Sequence, residues 1–232
     1  MLKYYDFIEI GTCDWGTMIE DADENTVGIS VEPIKIYLDR LPNKSNVKKV
    51  NVAITDVKES DNIDIYWVHP DNIQKHGLGG WLGGCNSVGK PHEFHIAYHP
   101  NPGYWHRNPD IPIAGLNLVD AGIVVKESVP VLTFTELAKE NEIGKVRYIK
   151  IDTEGHDPNI VRSILEYYDN LKTEQNMDIY PDTIYFESNR HTKKTNLENI
   201  KKELSKRGYK LAEVWDDGHP ANTIATLENT DV

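Results

Sequence analysis

The run Ile149-Lys150-Ile151 leads directly into Asp152-Thr153-Glu154-Gly155-His156-Asp157. A short apolar strand pattern thus ends in four ionisable side chains and a glycine, just where a helical pattern begins. In α/β proteins a strand ending this way delivers polar groups to the carboxyl edge of a parallel sheet, where ligands bind. Carboxylates and an imidazole at such an edge can move protons or hold cations. Asp152, Glu154 and His156 are therefore the first candidates for chemistry.

A second constellation lies near the amino end, in Phe7-Ile8-Glu9-Ile10-Gly11-Thr12-Cys13-Asp14. A glycine just after a first strand lets a ligand approach the backbone, and the acid before it can anchor polar groups. The spacing is not the G-x-G-x-x-G of dinucleotide folds, so a pyrophosphate finds no cradle here. Glu32, followed by Pro33, stands 21 residues past Gly11 at the end of a second strand pattern. An acid so placed either accepts two ribose hydroxyls of an adenosine-containing ligand or starts the next helix. Asn51 to Asp56 ends a third strand pattern, where Ala53 and Asp56 could supply an adenine wall and a hydrogen-bonding acid.

The elements that must position these residues alternate in type. Strands are expected over Tyr5 to Ile10, Thr26 to Val31, Lys49 to Ile54, Val146 to Ile151 and Thr183 to Glu187. Helices are expected over residues 16–24, Ile34 to Leu41, about Pro158 to Tyr168, and Leu197 to Arg207 with Gly208 as a stop. Such alternation implies a parallel sheet with right-handed crossovers. Tyr209 to Trp215 and Thr223 to Leu227 are joined by too few residues for a helix, so they predict an antiparallel hairpin. The expected fold is a Rossmann-like α/β class I methyltransferase layout: a parallel sheet closed by a C-terminal antiparallel hairpin.

The 232 residues are expected to form a single domain, with a core over 5–56 and 131–228 and a cap insertion over about 69–129. Ile63 to Val68 adds a strand, and Val131 to Glu140 a strand end and helix. The insertion is rich in Gly, Pro, Asn, Trp and His, which predicts an ordered cap over the sheet edge rather than disorder. Trp81 and Trp105 lie in this stretch, and Trp67 just before it, with His69, His76, His92, His95, His99 and His106. Aromatic faces stack on sugar rings while Asn, Ser and His meet hydroxyls. Trp81, Asn86, Ser87, His92 and His95 are the candidate substrate residues. The histidine spacings also admit zinc, but no cysteine or carboxylate completes a convincing site.

A net charge of −12 argues against a nucleic-acid partner, whose phosphates require clustered Lys and Arg. No apolar run is long enough to span a bilayer, and Cys13 and Cys85 are too few for a disulfide framework or a four-cysteine zinc site. A cytoplasmic location is the expectation.

In order along the chain stand Glu9-Ile10-Gly11, Val31-Glu32-Pro33, Ala53-Ile54-Thr55-Asp56, Leu132-Thr133-Phe134-Thr135-Glu136-Leu137, Ile149 to Asp157, and Tyr185-Phe186-Glu187. This series resembles the FkbM family of S-adenosylmethionine-dependent methyltransferases, from residue 6 to about 227. One departure is that Thr12-Cys13-Asp14 replaces the family's usual Ala-Asn and Gly after the first glycine. The resemblance implies an O-methyltransferase acting on a sugar, glycan or polyketide hydroxyl. S-adenosylmethionine would then be held by Glu9, Gly11, Thr12, Cys13, Asp14, Glu32, Pro33, Ala53 and Asp56. A hydroxyl is a poor nucleophile and benefits from a base, a role open to Asp152, Glu154 and His156. Alternatively, Asp152 and Glu154 bind a divalent metal such as Mg²⁺ that orients a diol, or His156 merely starts its helix. Other readings are a nicotinamide-dependent oxidoreductase and a non-catalytic glycan- or partner-binding module on the same fold.

Overall fold

The computed structural model describes residues 1–99, 115–189, 192–216 and 219–228. Trp105 and His106 of the insertion lie outside the described residues. The chain divides into two compact units, residues 1–61 with 130–232, and residues 62–129.

The first unit is built on a seven-stranded sheet. Its strands are β1 (Lys3–Ile10), β2 (Gly28–Val31), β3 (Val47–Val50), β8 (Ile143–Ile151), β9 (Thr183–Glu187), β10 (Tyr209–Asp216) and β11 (His219–Leu227). The spatial order is β10-β11-β9-β8-β1-β2-β3. The pairs β3–β2, β2–β1, β1–β8 and β8–β9 are all parallel. Ile8, Ile10, Ile29, Val31, Ile149 and Ile151 are buried in the resulting core, as expected of parallel strands covered on both faces.

The terminal hairpin is present, with Leu211 opposite Ala225. Its return strand β11 inserts between β9 and β10 and is antiparallel to both. Because α7 (Lys194–Lys206) carries the chain from β9 over to β10, β10 keeps the parallel sense. Six strands therefore run one way and β11 alone runs against them. This is the layout expected from the sequence.

Several boundaries differ from those read in the sequence, and three of them have a clear local reason. The expected third strand breaks into β3 and β4 (Ala53–Thr55). Between them, Asn51 Nδ2 donates to the carbonyls of Glu32 and Pro33, both at 2.8 Å, which draws the chain out of the seven-stranded sheet. β4 then pairs in parallel with the end of β7 (Val124–Thr133), Ile54 opposite Leu132. The first helix shrinks to α1 (Met18–Asp21), because Asp23 Oδ1 accepts from the N–H groups of Asn25 and Thr26 and makes a turn. By contrast α2 (Lys35–Arg40) falls inside its expected span. The helix after β8 extends, as α6 (Asp157–Gln175), since Leu171 continues the buried stripe of Ile160, Val161, Ile164 and Tyr168.

The Leu132 to Leu137 motif has a structural use. Thr133 and Glu136 form a capping box: Thr133 Oγ1 accepts the Glu136 N–H at 3.2 Å and Glu136 Oε2 accepts the Thr133 N–H at 2.7 Å. It opens α5 (Phe134–Asn141), whose Phe134, Leu137 and Ala138 enter the core.

The second unit contains β5 (Asn62–Val68), α3 (Pro70–Lys75), a 3-10 turn at Gly80–Gly83, β6 (Ser87–Val88) and α4 (Glu93–Ile96). β5 pairs antiparallel with β6, Ile65 opposite Val88. Val68, Leu82, Cys85, Phe94, Tyr98, Leu118 and Ile123 make a core of its own.

Candidate active site

The carboxyl ends of β1, β2 and β8 are sewn together around Gly11. Its N–H donates to Val31 O at 2.9 Å, and Asp152 N–H donates to Ile10 O at 3.0 Å. Gly11 has φ +81°, and a Cβ there would lie 2.0 Å from the Asp152 carbonyl oxygen. Only glycine permits this approach. The glycine expected to admit a ligand thus first admits the neighbouring strand.

Glu32 is buried at the end of β2. Its Oε2 accepts the Cys13 N–H and its Oε1 the Ile34 N–H, each at 2.8 Å. Burial pushes its carboxyl up to about 7, against the pull of those backbone donors. A carboxylate offers about four acceptor positions; the Ile34, Cys13 and Thr12 N–H groups use up to three of them, which leaves room for a ribose hydroxyl. The cradle around it is compact: Thr12 is buried, Cys13 takes a left-handed φ of 50°, and Pro33 is fixed by Asn51.

Other expected cofactor residues carry structural partners as well. Glu9 is fully buried, its Oε2 accepting the Met18 N–H and its Oε1 the Lys150 ammonium, both at 2.8 Å. Burial raises its pKa while Lys150 opposes the rise. Asp14 pairs with Arg40 at 2.7 Å, Asp56 pairs with Arg162 at 2.7 Å, and Ala53 is buried in β4. Lys150 and Arg162 complete these pairs, and nothing in their sequence spacing marks them for it.

The Asp152-to-Asp157 turn leaves β8 through left-handed residues, Glu154 at φ 52° and Gly155 at φ 92°. Asp157 latches it. Its Oδ2 accepts the Thr153 hydroxyl at 2.7 Å and the Thr153 N–H at 3.2 Å, and its Oδ1 accepts the Glu187 N–H at 2.9 Å. The latch joins the ends of β8 and β9. Burial lifts the Asp157 carboxyl to about 6.

Asp152, Glu154 and Glu187 come together there, offering one oxygen each within 4.8 Å of one another. Desolvation pushes Asp152 up to about 7, reinforced by the negative charges of Asp157 and Glu154. Glu187 is held well above the ordinary carboxyl value, first by burial and then by Glu154, Asp157 and Asp152. One of its oxygens accepts from Asn189 Nδ2, while Oε2 is buried without a hydrogen-bond partner. Glu187 belongs to the Tyr185-Phe186-Glu187 motif but is absent from the site residues expected from the sequence. Its position, last in a parallel strand next to β8, is the signal that marks it.

His156 stands outside that trio. Its Nε2 lies 3.3 Å from Thr55 Oγ1 and its Nδ1 3.5 Å from Asn159 Nδ2. Burial lowers its pKa, with Asp56 opposing, so the imidazole is neutral at physiological pH.

The five candidate substrate residues fall along one stretch of the second unit, and each is used in its packing. Trp81 stacks on Tyr98 at 5.9 Å and meets Phe94 edge-on at 5.0 Å. Asn86 Nδ2 donates to Gly83 O at 2.9 Å, and Ser87 Oγ to Lys90 O at 2.7 Å. His92 Nδ1 accepts the Phe94 N–H, and His95 Nδ1 the His92 N–H, both at 3.2 Å. Burial, then the neighbouring His92, drives the His95 pKa down to about 3.

Residues 7–211 match the methyltransferase FkbM domain. The chain belongs to the FkbM methyltransferase family. The match is to a family of S-adenosylmethionine-dependent methyltransferases, not of oxidoreductases. The buried Glu32 carboxylate beside the Gly11 turn suits the adenosine of that cofactor. Among solved structures, M. capricolum TrmK in complex with the natural cofactor product S-adenosyl-homocysteine has 13% identity and a TM-score of 0.37. That comparison covers 99% of this chain and 64% of TrmK, so the chain spans less than two thirds of that protein. A comparison with curated proteins finds no match. Among the described residues, no helix is long and apolar enough to cross a membrane.

Proposed function

We propose that this FkbM methyltransferase transfers the methyl group to a hydroxyl of a sugar or glycan. The observation that supports this reading is the set of proton-accepting and cation-binding groups on the turn after β8, which presents Asp152 and Glu154 beside Glu187 and carries His156 against Thr55. An alcohol needs its proton removed as its oxygen attacks, unlike a thiolate or free amine, and a base within hydrogen-bond reach supplies this. In the reaction the acceptor oxygen bonds to the methyl carbon, the carbon–sulfur bond breaks, and the hydroxyl proton passes to a base. His156 is the residue assigned to that role. Thr55 and Asn159 hold its ring at two points, and the acceptor hydroxyl takes the place of one of them to hand over its proton.

The test is transfer of radiolabelled methyl from S-adenosylmethionine to a panel of mono- and oligosaccharides, with amine and thiol acceptors alongside. Label recovered as an alkali-stable methyl ether supports the proposal. Exclusive N- or S-methylation would refute it, and binding of S-adenosylhomocysteine without transfer to any acceptor would favour a non-catalytic module.

A further inference from the structure

We infer that Asp152, Glu154 and Glu187 form a binding site for one hard divalent cation of the Mg²⁺ class. Two observations carry this independently. The first is convergence: three carboxylates from the ends of two adjacent parallel strands place oxygens within 4.8 Å of one another. Ligand oxygens around one such ion sit about 3 to 5 Å apart, given bonds of about 2.0–2.1 Å to Mg²⁺ or 2.3–2.6 Å to Ca²⁺. The second is the state of Glu187. Its Oε2 is sealed from water and has no hydrogen-bond partner. Its other oxygen accepts from Asn189 Nδ2. A buried carboxylate oxygen is normally satisfied, and one left bare among like charges lacks a positive partner.

Lys150, whose charge reaches Asp152, is itself bonded to Glu9 at 2.8 Å. The trio contains only oxygen donors, which suits Mg²⁺, Mn²⁺ or Ca²⁺ and not a thiolate- or imidazole-seeking metal. Three protein ligands leave about three of six coordination positions open, enough for two neighbouring hydroxyls of an acceptor. That use rests on the O-methyltransferase reading, whereas binding of the ion does not.

The full chain, saturated with S-adenosylhomocysteine, is titrated with MnCl₂ and free Mn²⁺ is read by electron paramagnetic resonance. One Mn²⁺ per chain is expected, displaced by excess MgCl₂. E187Q should weaken its affinity at least tenfold. D152N should do the same and serves if E187Q does not fold. Cofactor-product binding by each variant checks its fold. No Mn²⁺ bound at millimolar concentration would overturn the inference, as would affinity unchanged in both variants. Mn²⁺ expelled by S-adenosylhomocysteine would also overturn it, since the trio would then hold that molecule's ammonium group. None of these outcomes touches the methyltransferase reading, which fails only if S-adenosylhomocysteine itself does not bind.

Discussion

At the scale of single residues, Gly11 and His156 carry the sharpest expectations. In Gly11→Ala the new Cβ would fall 2.0 Å from a backbone oxygen at φ +81°, so β1 and β8 cannot close at their carboxyl ends. Backbone strain and overpacking together should cost about 3 kcal/mol or more, read as a lower urea midpoint. A loss under about 0.5 kcal/mol, the range of ordinary surface changes, would mean that the strand ends are looser than described. For His156→Ala, kcat should fall about 10²- to 10⁴-fold, the usual worth of a general base, with S-adenosylhomocysteine affinity within about twofold of wild type. An unchanged kcat would remove His156 from the reaction. These two residues are legible in the sequence to different degrees. Gly11 reads as a glycine that must be glycine, but the atom that requires it belongs to Asp152, far along the chain. No local pattern reports such a contact.

At the scale of elements, Asp157 joins two strand ends to the start of α6. Asp157→Ala would strip the acceptor from the Thr153 hydroxyl, the Thr153 N–H and the Glu187 N–H. Losing a buried acceptor that serves several donors should destabilise the protein by about 3 to 5 kcal/mol, measured by chemical denaturation. The same variant should lower methyl transfer even under conditions where it stays folded, because Glu187 loses its register with Asp152. Full activity in a folded Asp157→Ala protein would refute that coupling. The sequence marks α6 correctly at its start, where Pro158 suits a first turn, but not at its end. Leu171 extends the helix by burying against the core, and burial is settled by packing rather than by periodicity. β3 and β4 show the same limit. Their separation depends on Asn51 reaching the carbonyls of Glu32 and Pro33, a contact between strand ends.

At the scale of the whole molecule, buried Glu32 links stability to pH. Its carboxyl rises from 4.5 to about 7 on folding, so the folded chain holds this proton more tightly than the unfolded one. Its contribution to stability is complete below pH 4.5, declines as pH rises and is gone above about 7. At about 1.36 kcal/mol per unit, this amounts to about 3 kcal/mol. Comparing the cofactor-free wild type with Glu32→Gln by urea denaturation between about pH 5 and 8 isolates this share. The wild type should lose about 2 to 3 kcal/mol relative to the variant over that range, and parallel curves would show that Glu32 is not desolvated as described. Adding S-adenosylmethionine at about 100 times its dissociation constant should stabilise the wild type by about 2.7 kcal/mol.

The sequence alone determined the strand–helix alternation, the hairpin after Gly208, the acids at the ends of β2 and β8, and through them the methyltransferase family. These follow from residue type and spacing, which act over a few neighbours. Tertiary structure decided what meets at the sheet edge. It brought Glu187 of β9 to Asp152 and Glu154, turned His156 toward Thr55, and committed Glu9 to Lys150. It also inserted β11 between β9 and β10. The physical reason is common to all four. Strands and turns far apart in sequence become neighbours only when the chain folds, and the chemistry at their ends belongs to the pairing rather than to any one segment.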